Sequence, residues 1–182
     1  MENKKILLCV SGGIAIYKVC ELTRLLVKNK HQVRVVMTEN AAKLISPIIF
    51  RTLSKAPVCI GTFADAAGGA VEHISIADWA DAAIIAPATA NTIGKIANGI
   101  ADNLLTTTAM AIGENIPMFI APAMNVNMWN NVFVQNNMKK LAARKNCFVV
   151  GPAEGELACG ASGAGRMAEP VQILDFVKEK MA

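Results

Sequence analysis

Four residues in this 182-residue chain have the type and setting to do chemistry: Cys159, His73, Asn125 and Arg166. Cys159 lies in the run Gly155-Glu-Leu-Ala-Cys-Gly-Ala-Ser-Gly-Ala-Gly-Arg-Met-Ala168, which holds four glycines and almost nothing to pack a core. Such a run is either slack linker or a mobile flap carrying a reactive group. Free cysteine usually hides in a core. A thiol between Ala158 and Gly160 therefore invites a role as nucleophile or proton donor. Arg166, near the end of the same run, is placed to reach an anionic group. His73 is one of two histidines and follows the Gly68-Gly69 loop. Histidine is the natural base near neutral pH. His31, beside Lys28-Asn-Lys30, reads as a surface turn residue. Asn125 stands just beyond an apolar run, where its carboxamide offers both donor and acceptor. It either holds a substrate carboxylate without a full ion pair or caps a helix.

These side chains need a frame, and the apolar pattern supplies one. Lys4 to Val10 reads as a buried strand, Ser11-Gly-Gly13 as a tight turn, Ile14 to Lys28 as a helix and Gln32 to Met37 as a second strand. That is one βαβ unit with a right-handed crossover. Thr38 is placed to cap a short helix from Glu39, and Pro47 opens another. Ala82 to Ala86 reads as a central strand ending at Pro87, and Pro117 to Ala121 as a strand ending at Pro122. Helices are expected over 91–98, 102–112 and 132–143, a strand over 147–150, and a C-terminal helix from Pro170. The sum is a single α/β domain over 1–182: a Rossmann-like (flavodoxin-like) three-layer sandwich with a doubly wound parallel sheet and a glycine-rich flap at about 155–168.

In such folds ligands bind beyond the carboxyl ends of the strands. Those ends are Ser11-Gly-Gly13, Thr38, Pro87-Ala-Thr-Ala-Asn-Thr92 and Pro122-Ala-Met-Asn125. Ser11-Gly-Gly13 is either an anion cradle at a helix start or a plain turn. It matches neither the dinucleotide glycine fingerprint nor the P-loop. The hydroxyls of Thr106-Thr-Thr108 either bond back to their own helix or face a phosphate or ribityl chain. The pieces suit a mononucleotide such as FMN, and Glu39 keeps NAD open.

Composition narrows the classes. Hydrophobic residues reach 53% with only 5% aromatic, so small aliphatics pack the interior, as in buried parallel sheets. The net charge of +4 is spread over helix faces with no interleaved aromatics, which argues against a nucleic-acid partner. No apolar stretch has the length of a membrane span, and no signal peptide is evident. Five scattered cysteines fit neither a disulfide framework nor a metal site, and a reducing cytoplasm is the expected compartment.

Seven stretches in order resemble one family, over roughly residues 4 to 170. They are Ser11-Gly-Gly-Ile-Ala-Ile-Tyr-Lys18, Val36-Met-Thr-Glu-Asn-Ala41, Glu72-His-Ile74, Trp79-Ala-Asp81, Pro87-Ala-Thr-Ala-Asn-Thr92, Pro122-Ala-Met-Asn-Val-Asn-Met-Trp129 and the Gly155 to Ala168 flap. The chain is similar to the homo-oligomeric flavin-containing cysteine decarboxylases. The resemblance implies an FMN-dependent carboxy-lyase that converts phosphopantothenoylcysteine to phosphopantetheine and CO2 in coenzyme A biosynthesis. It implies His73 as the active-site base, Asn125 as the holder of the substrate carboxylate, Met128 in the same substrate-facing motif, and Cys159 as a proton donor late in the reaction. Ser11, Gly12, Gly13, Thr38, Thr89 and Asn91 fall in its flavin-contacting motifs, with Thr107 or Thr108 an addition. Arg166 either holds the closed flap or binds phosphate. The implied chemistry oxidises the cysteine side chain to a thioaldehyde, loses CO2 to give an enethiolate, and returns a hydride from reduced FMN. The resemblance also implies a homotrimer, sometimes assembled into a dodecamer, with flavin at a subunit interface. Because the chain ends at Ala182, the phosphopantothenate–cysteine ligase is expected as a separate protein.

Three other readings compete. One relative decarboxylates the C-terminal cysteine of a peptide and stops at the oxidised enethiol; Cys159 argues against it. A second builds a prenylated flavin; His73 with Pro-Ala-Met-Asn125 argues against that. A third is a non-catalytic flavin-binding regulatory subunit, marked by a missing catalytic residue or long tails, neither of which is present.

Overall fold

The computed structural model describes residues 3–61, 72–156 and 162–182. Strand β1 (Lys5–Val10) leads through Ser11-Gly-Gly13 into helix α1 (Ile16–Lys28), which returns to β2 (Gln32–Met37). Then follow α2 (Glu39–Leu44), α3 (Pro47–Ser54) and β3 (Val58–Ile60). The second half runs α4 (Glu72–Trp79), β4 (Ala82–Ala88), α5 (Ala90–Ala97), α6 (Leu104–Ala111) and β5 (Met118–Pro122). It continues with α7 (Val126–Trp129), α8 (Val132–Ala142) and β6 (Cys147–Val149). A hairpin of β7 (Ala153–Glu156) and β8 (Ser162–Arg166) precedes α9 (Pro170–Lys180).

The six-stranded sheet is parallel throughout, in the order β3-β2-β1-β4-β5-β6. The chain starts in the middle, winds outward to β3, then returns to β4 and winds the other way. The strand order reverses between β1 and β4, which is where such sheets open a crevice.

Alternation along β1 explains the three layers. Ile6, Leu8 and Val10 face one side and pack with Val19, Leu22 and Leu26 of α1 and Ile173, Leu174 and Val177 of α9. Leu7 and Cys9 face the other side, with Ile93 and Ile96 of α5, Leu104 and Leu105 of α6, and Leu141 of α8. A strand buried on both faces must be apolar at every position, and Ile6 through Val10 are all fully buried. Truncating one of them, Leu7→Ala for instance, leaves a cavity between tightly packed layers and costs about 2–5 kcal/mol. Phe119 of β5 stacks on Phe148 of β6 at 5.5 Å between ring centroids and meets Phe176 of α9 edge-on at 6.2 Å, which seats the last helix on the sheet.

Several local features differ from the sequence reading. His31, read as a surface turn residue, is only 4% exposed, and its Nδ1 accepts from the Lys4 amide at 3.3 Å. Strand β4 does not stop at Pro87 but continues to Ala88, with Ala86-Pro87 in the cis form. Helix α6 begins at Leu104 rather than 102, because the Asn103 side chain accepts from the Thr106 amide at 3.0 Å and caps it. The stretch read as a flap opens and closes as paired backbone, with Gly155 opposite Gly163 and Ala153 opposite Arg166.

Candidate functional site

At the reversal point the two central turns are stitched together. The buried Ser11 hydroxyl donates to the Pro87 carbonyl oxygen at 2.5 Å and accepts from the Thr89 amide at 3.2 Å. Gly13 permits the approach: a Cβ there would sit 3.1 Å from Thr89 Cγ2. Gly12 does the same toward the next element, since its Cβ would lie 2.8 Å from Asn40 Cβ at the start of α2.

Above these turns opens a cavity of about 1250 Å³. Its floor is Gly12, Gly13 and Ala15 from the first turn, Thr38 to Asn40 after β2, and Thr89 to Thr92 after β4. Ala123 to Asn125 and Met128 form one wall; Gly165, Arg166 and Met167 form another. The hydroxyls on the floor are partly committed to local structure. Thr38 Oγ1 accepts from the Ala41 amide at 3.1 Å, and Thr89 Oγ1 accepts from the Thr92 amide at 3.3 Å. Both are N-caps, so each marks a helix start at which backbone N–H groups collect. The eight-residue α5 contributes Ala90, Asn91 and Thr92 of that first turn to the wall.

The hairpin is fastened to the wall that carries Asn125. The Met124 amide donates to the Gly165 carbonyl oxygen at 2.9 Å. Gly163 lies so close to α7 that a Cβ would meet Val126 Cγ2 at 2.8 Å. Asn125 itself caps α7, its Oδ1 accepting from the Asn127 amide at 2.8 Å. The cap sets which way the carboxamide presents its nitrogen.

Charge along the cavity is mostly paired. Lys95 bonds Asp102 at 2.7 and 2.9 Å, and that hydrogen bond holds the Asp102 carboxyl below its ordinary range. Lys18, only 9% exposed, donates to Glu169 at 2.7 Å and to the Met167 carbonyl oxygen at 3.3 Å. Among the described residues no group of three or more metal-ligating side chains occurs.

The structure brings Gly12, Gly13, Thr38, Thr89, Asn91, Asn125, Met128 and Arg166 onto this one cavity. Ser11 stands beneath it, its hydroxyl turned to the β4 turn. Thr107 and Thr108 lie off the cavity wall. The Thr107 hydroxyl donates to the carbonyl oxygens of Asn103 at 2.9 Å and Ala101 at 3.2 Å, while Thr108 is fully buried. His73, half-buried in the first turn of α4, also does not line the cavity of its own chain. Cys159 lies outside the described residues. Sequence reasoning missed Lys18, Lys95, Asp102 and Asn103 as wall residues. Lys18 occupies one position of an amphipathic helix, and nothing in that pattern distinguishes a lysine turned into a cavity from a solvated one.

A doubly wound parallel sheet whose glycine turns, helix starts and capping hydroxyls converge at the reversal point defines a nucleotide-binding α/β protein. The chain belongs to the Flavoprotein family, whose model matches residues 1–182, within the phosphopantothenoylcysteine decarboxylase group of flavin-dependent cysteine decarboxylases. It is 38% identical over 182 residues to the probable phosphopantothenoylcysteine decarboxylase of Streptococcus mutans, covering 98% of this chain and 99% of that one. It is 48% identical over 182 residues to the coenzyme A biosynthesis bifunctional protein CoaBC of Bacillus subtilis; the match takes in 100% of this chain but only 44% of that protein's length. Among solved structures, it resembles a cysteine-to-serine mutant of PPC decarboxylase complexed with pantothenoylaminoethenethiol, with a TM-score of 0.87, 33% identity and 99% of both chains covered. It also resembles the FMN binding protein AtHal3, with a TM-score of 0.84, 33% identity and coverage of 98% and 97%.

The residues present fit a flavin nucleotide. The glycine floor leaves backbone open where side chains would collide, and the cavity exceeds the roughly 300–1,000 Å³ of a common small-molecule pocket.

Proposed function

We propose that this chain catalyses FMN-dependent decarboxylation of phosphopantothenoylcysteine to phosphopantetheine and CO2 in coenzyme A biosynthesis. The observation that carries the reading is the single cavity that joins a nucleotide floor (Gly12, Gly13, Thr38, Thr89, Asn91) to a substrate wall (Asn125, Met128, Arg166). When bound, the flavin supplies two-electron oxidation and reduction of the substrate's cysteine carbons, which turns a poor carbanion into a stabilised one.

The protein's own groups bind, orient and move protons. The backbone of Gly12 and Gly13 and the first turn of α5 receive the nucleotide. Asn125, its oxygen held by the α7 cap, donates from its nitrogen to the substrate carboxylate and sets the direction in which CO2 leaves. An amide suits this task, because a full cation would stabilise the charge that must flow out of the carboxylate. Met128 packs against the substrate arm. Cys159, carried on the segment between β7 and β8, delivers a proton to the product carbon, and that segment limits escape of reactive intermediates.

His73 acts as the base in a neighbouring subunit's cavity. Two observations support this reading: His73 does not line its own chain's cavity, and apolar side chains such as Ile14 (70% exposed), Tyr17 (64%) and Ile74 (47%) stand open around these elements. Faces of this kind suit a partner copy, and a homotrimer, alone or in a dodecamer, satisfies them. A phosphopantothenate–cysteine ligase activity supplies the substrate. The setting is cytoplasmic; no helix among the described residues is long and apolar enough to cross a membrane.

Product mass decides the matter. Incubation with phosphopantothenoylcysteine is expected to give loss of CO2 alone. Loss of CO2 plus two hydrogens means the enzyme stops at the oxidised enethiol, as the peptide-modifying reading requires, and overturns the redox-neutral reaction.

A further inference from the structure

The hairpin carries one cation in an unusual seat. The Arg166 side chain crosses from β8 to the facing strand and lies over Gly155, so close that a Cβ there would meet Nη1 at 2.8 Å and Cδ at 3.3 Å. Gly155 has φ +143, a backbone state that side-chain-bearing residues rarely adopt. Beyond the seat, Glu169 Oε1 accepts from Arg166 Nη2 at 3.4 Å while also holding Lys18 Nζ at 2.7 Å. Lys18 is thus spent on internal partners. Glu169 is the one hydrogen-bonding partner of the Arg166 guanidinium among the described residues, and Arg166 lines the cavity. A planar fork whose other donors have no hydrogen-bond partner among the described residues, at a cavity wall, matches a phosphate.

We propose that Arg166 is the specificity determinant for the substrate's phosphate, with Gly155 a positioning residue that sets the guanidinium at the cavity wall. This rests on the proposed function, in which the substrate bears two anionic groups. Asn125 takes the carboxylate. Arg166 is unsuited to that role, because an ion pair there would stabilise the ground state over the transition state and oppose loss of CO2. The phosphate is the group that remains.

The test compares phosphopantothenoylcysteine with pantothenoylcysteine, the same compound without its phosphate. The wild type is expected to favour the phosphorylated form in kcat/KM. Arg166→Met lowers that preference about ten- to a hundredfold, the scale of a lost charge-assisted contact. The loss falls on KM for the phosphorylated substrate, with kcat kept. Arg166→Lys falls between, because it keeps the charge and loses the fork. Gly155→Ala keeps the arginine but fills its seat, so the preference falls again. The double variant G155A/R166M shows no further fall than R166M, as two changes acting through one group require. An equal loss on both substrates in Arg166→Met indicates a structural or carboxylate role and overturns the proposal. A wild type that turns over neither compound overturns the proposed function and this inference with it. A wild type that turns over both, with a preference insensitive to Arg166, sinks this inference alone.

Discussion

The Ser11 hydroxyl donates to the Pro87 carbonyl oxygen and accepts from the Thr89 amide, so one buried side chain locks the turn after β1 to the turn after β4. The nucleotide floor is built on that lock. Ser11→Ala leaves a carbonyl and an amide without this partner and is expected to cost about 1–3 kcal/mol. Chemical denaturation reads the loss, and the flavin retained after gel filtration is expected to fall with it. Unchanged stability and flavin content would show that the two turns hold their places by packing alone.

Asn125→Asp separates the cap from the proposed substrate contact. Aspartate caps a helix about as well as asparagine, so the melting temperature is expected to hold. The donor is gone and a negative charge faces the substrate carboxylate, so kcat/KM is expected to drop on the order of a hundredfold or more. A fully active variant removes Asn125 from the mechanism.

If His73 serves the neighbour's cavity, activity is restored by mixing. His73→Asn and Asn125→Asp are each expected to be inactive. Oligomers re-formed from equal amounts pair an intact asparagine with an intact histidine at about a quarter of their sites by random assembly. Roughly that share of wild-type activity is expected. No recovery means that both groups act within one chain.

The central strand carries an alkaline liability. Burial in β1 pushes the Cys9 thiol from 9.0 up to about 12. The folded state therefore holds a neutral thiol where the unfolded chain ionises. Stability from this site is complete below about pH 9 and is lost as pH rises toward about 12, at a slope near 1.4 kcal/mol per pH unit. Cys9→Ala is expected to flatten that part of the stability–pH curve; an unaltered slope assigns the alkaline loss to other groups.

Thr108 tests whether the α6 hydroxyls serve the flavin. Its Oγ1 is buried with no hydrogen-bond partner among the described residues, while the side chain lies off the cavity. Thr108→Val is expected to stabilise the fold by about 1 kcal/mol, through removal of an unsatisfied polar group, and to leave flavin content unchanged. Loss of flavin in this variant would tie Thr108 to the cofactor.

Local signals in the sequence carried most of the frame. The unbroken apolar run of β1 announces a strand buried on both faces, and the helical spacing from Val19 to Leu26 announces the crossover. Thr38 was legible as a cap because its role depends on the three residues that follow it. The β7–β8 hairpin was not legible, because a glycine-rich run has no apolar alternation from which to read a strand. Its pairing depends on where Gly155 meets Gly163, and its seat on Val126 and Met124.

What the sequence determined by itself is the order and type of the elements, the turns at the strand ends and the family they belong to, since periodicity, capping and motif order are local properties of the chain. What only the tertiary structure decided is which side chains share a space. It turned Ser11 beneath the floor, drew Lys18 inward to Glu169, laid Arg166 over Gly155, and left His73, Thr107 and Thr108 off their own chain's cavity. These outcomes depend on contacts between residues from 11 to 151 positions apart in the chain. Such contacts are set by how the sheet winds and how closely backbone can approach backbone, and no short window of sequence encodes them.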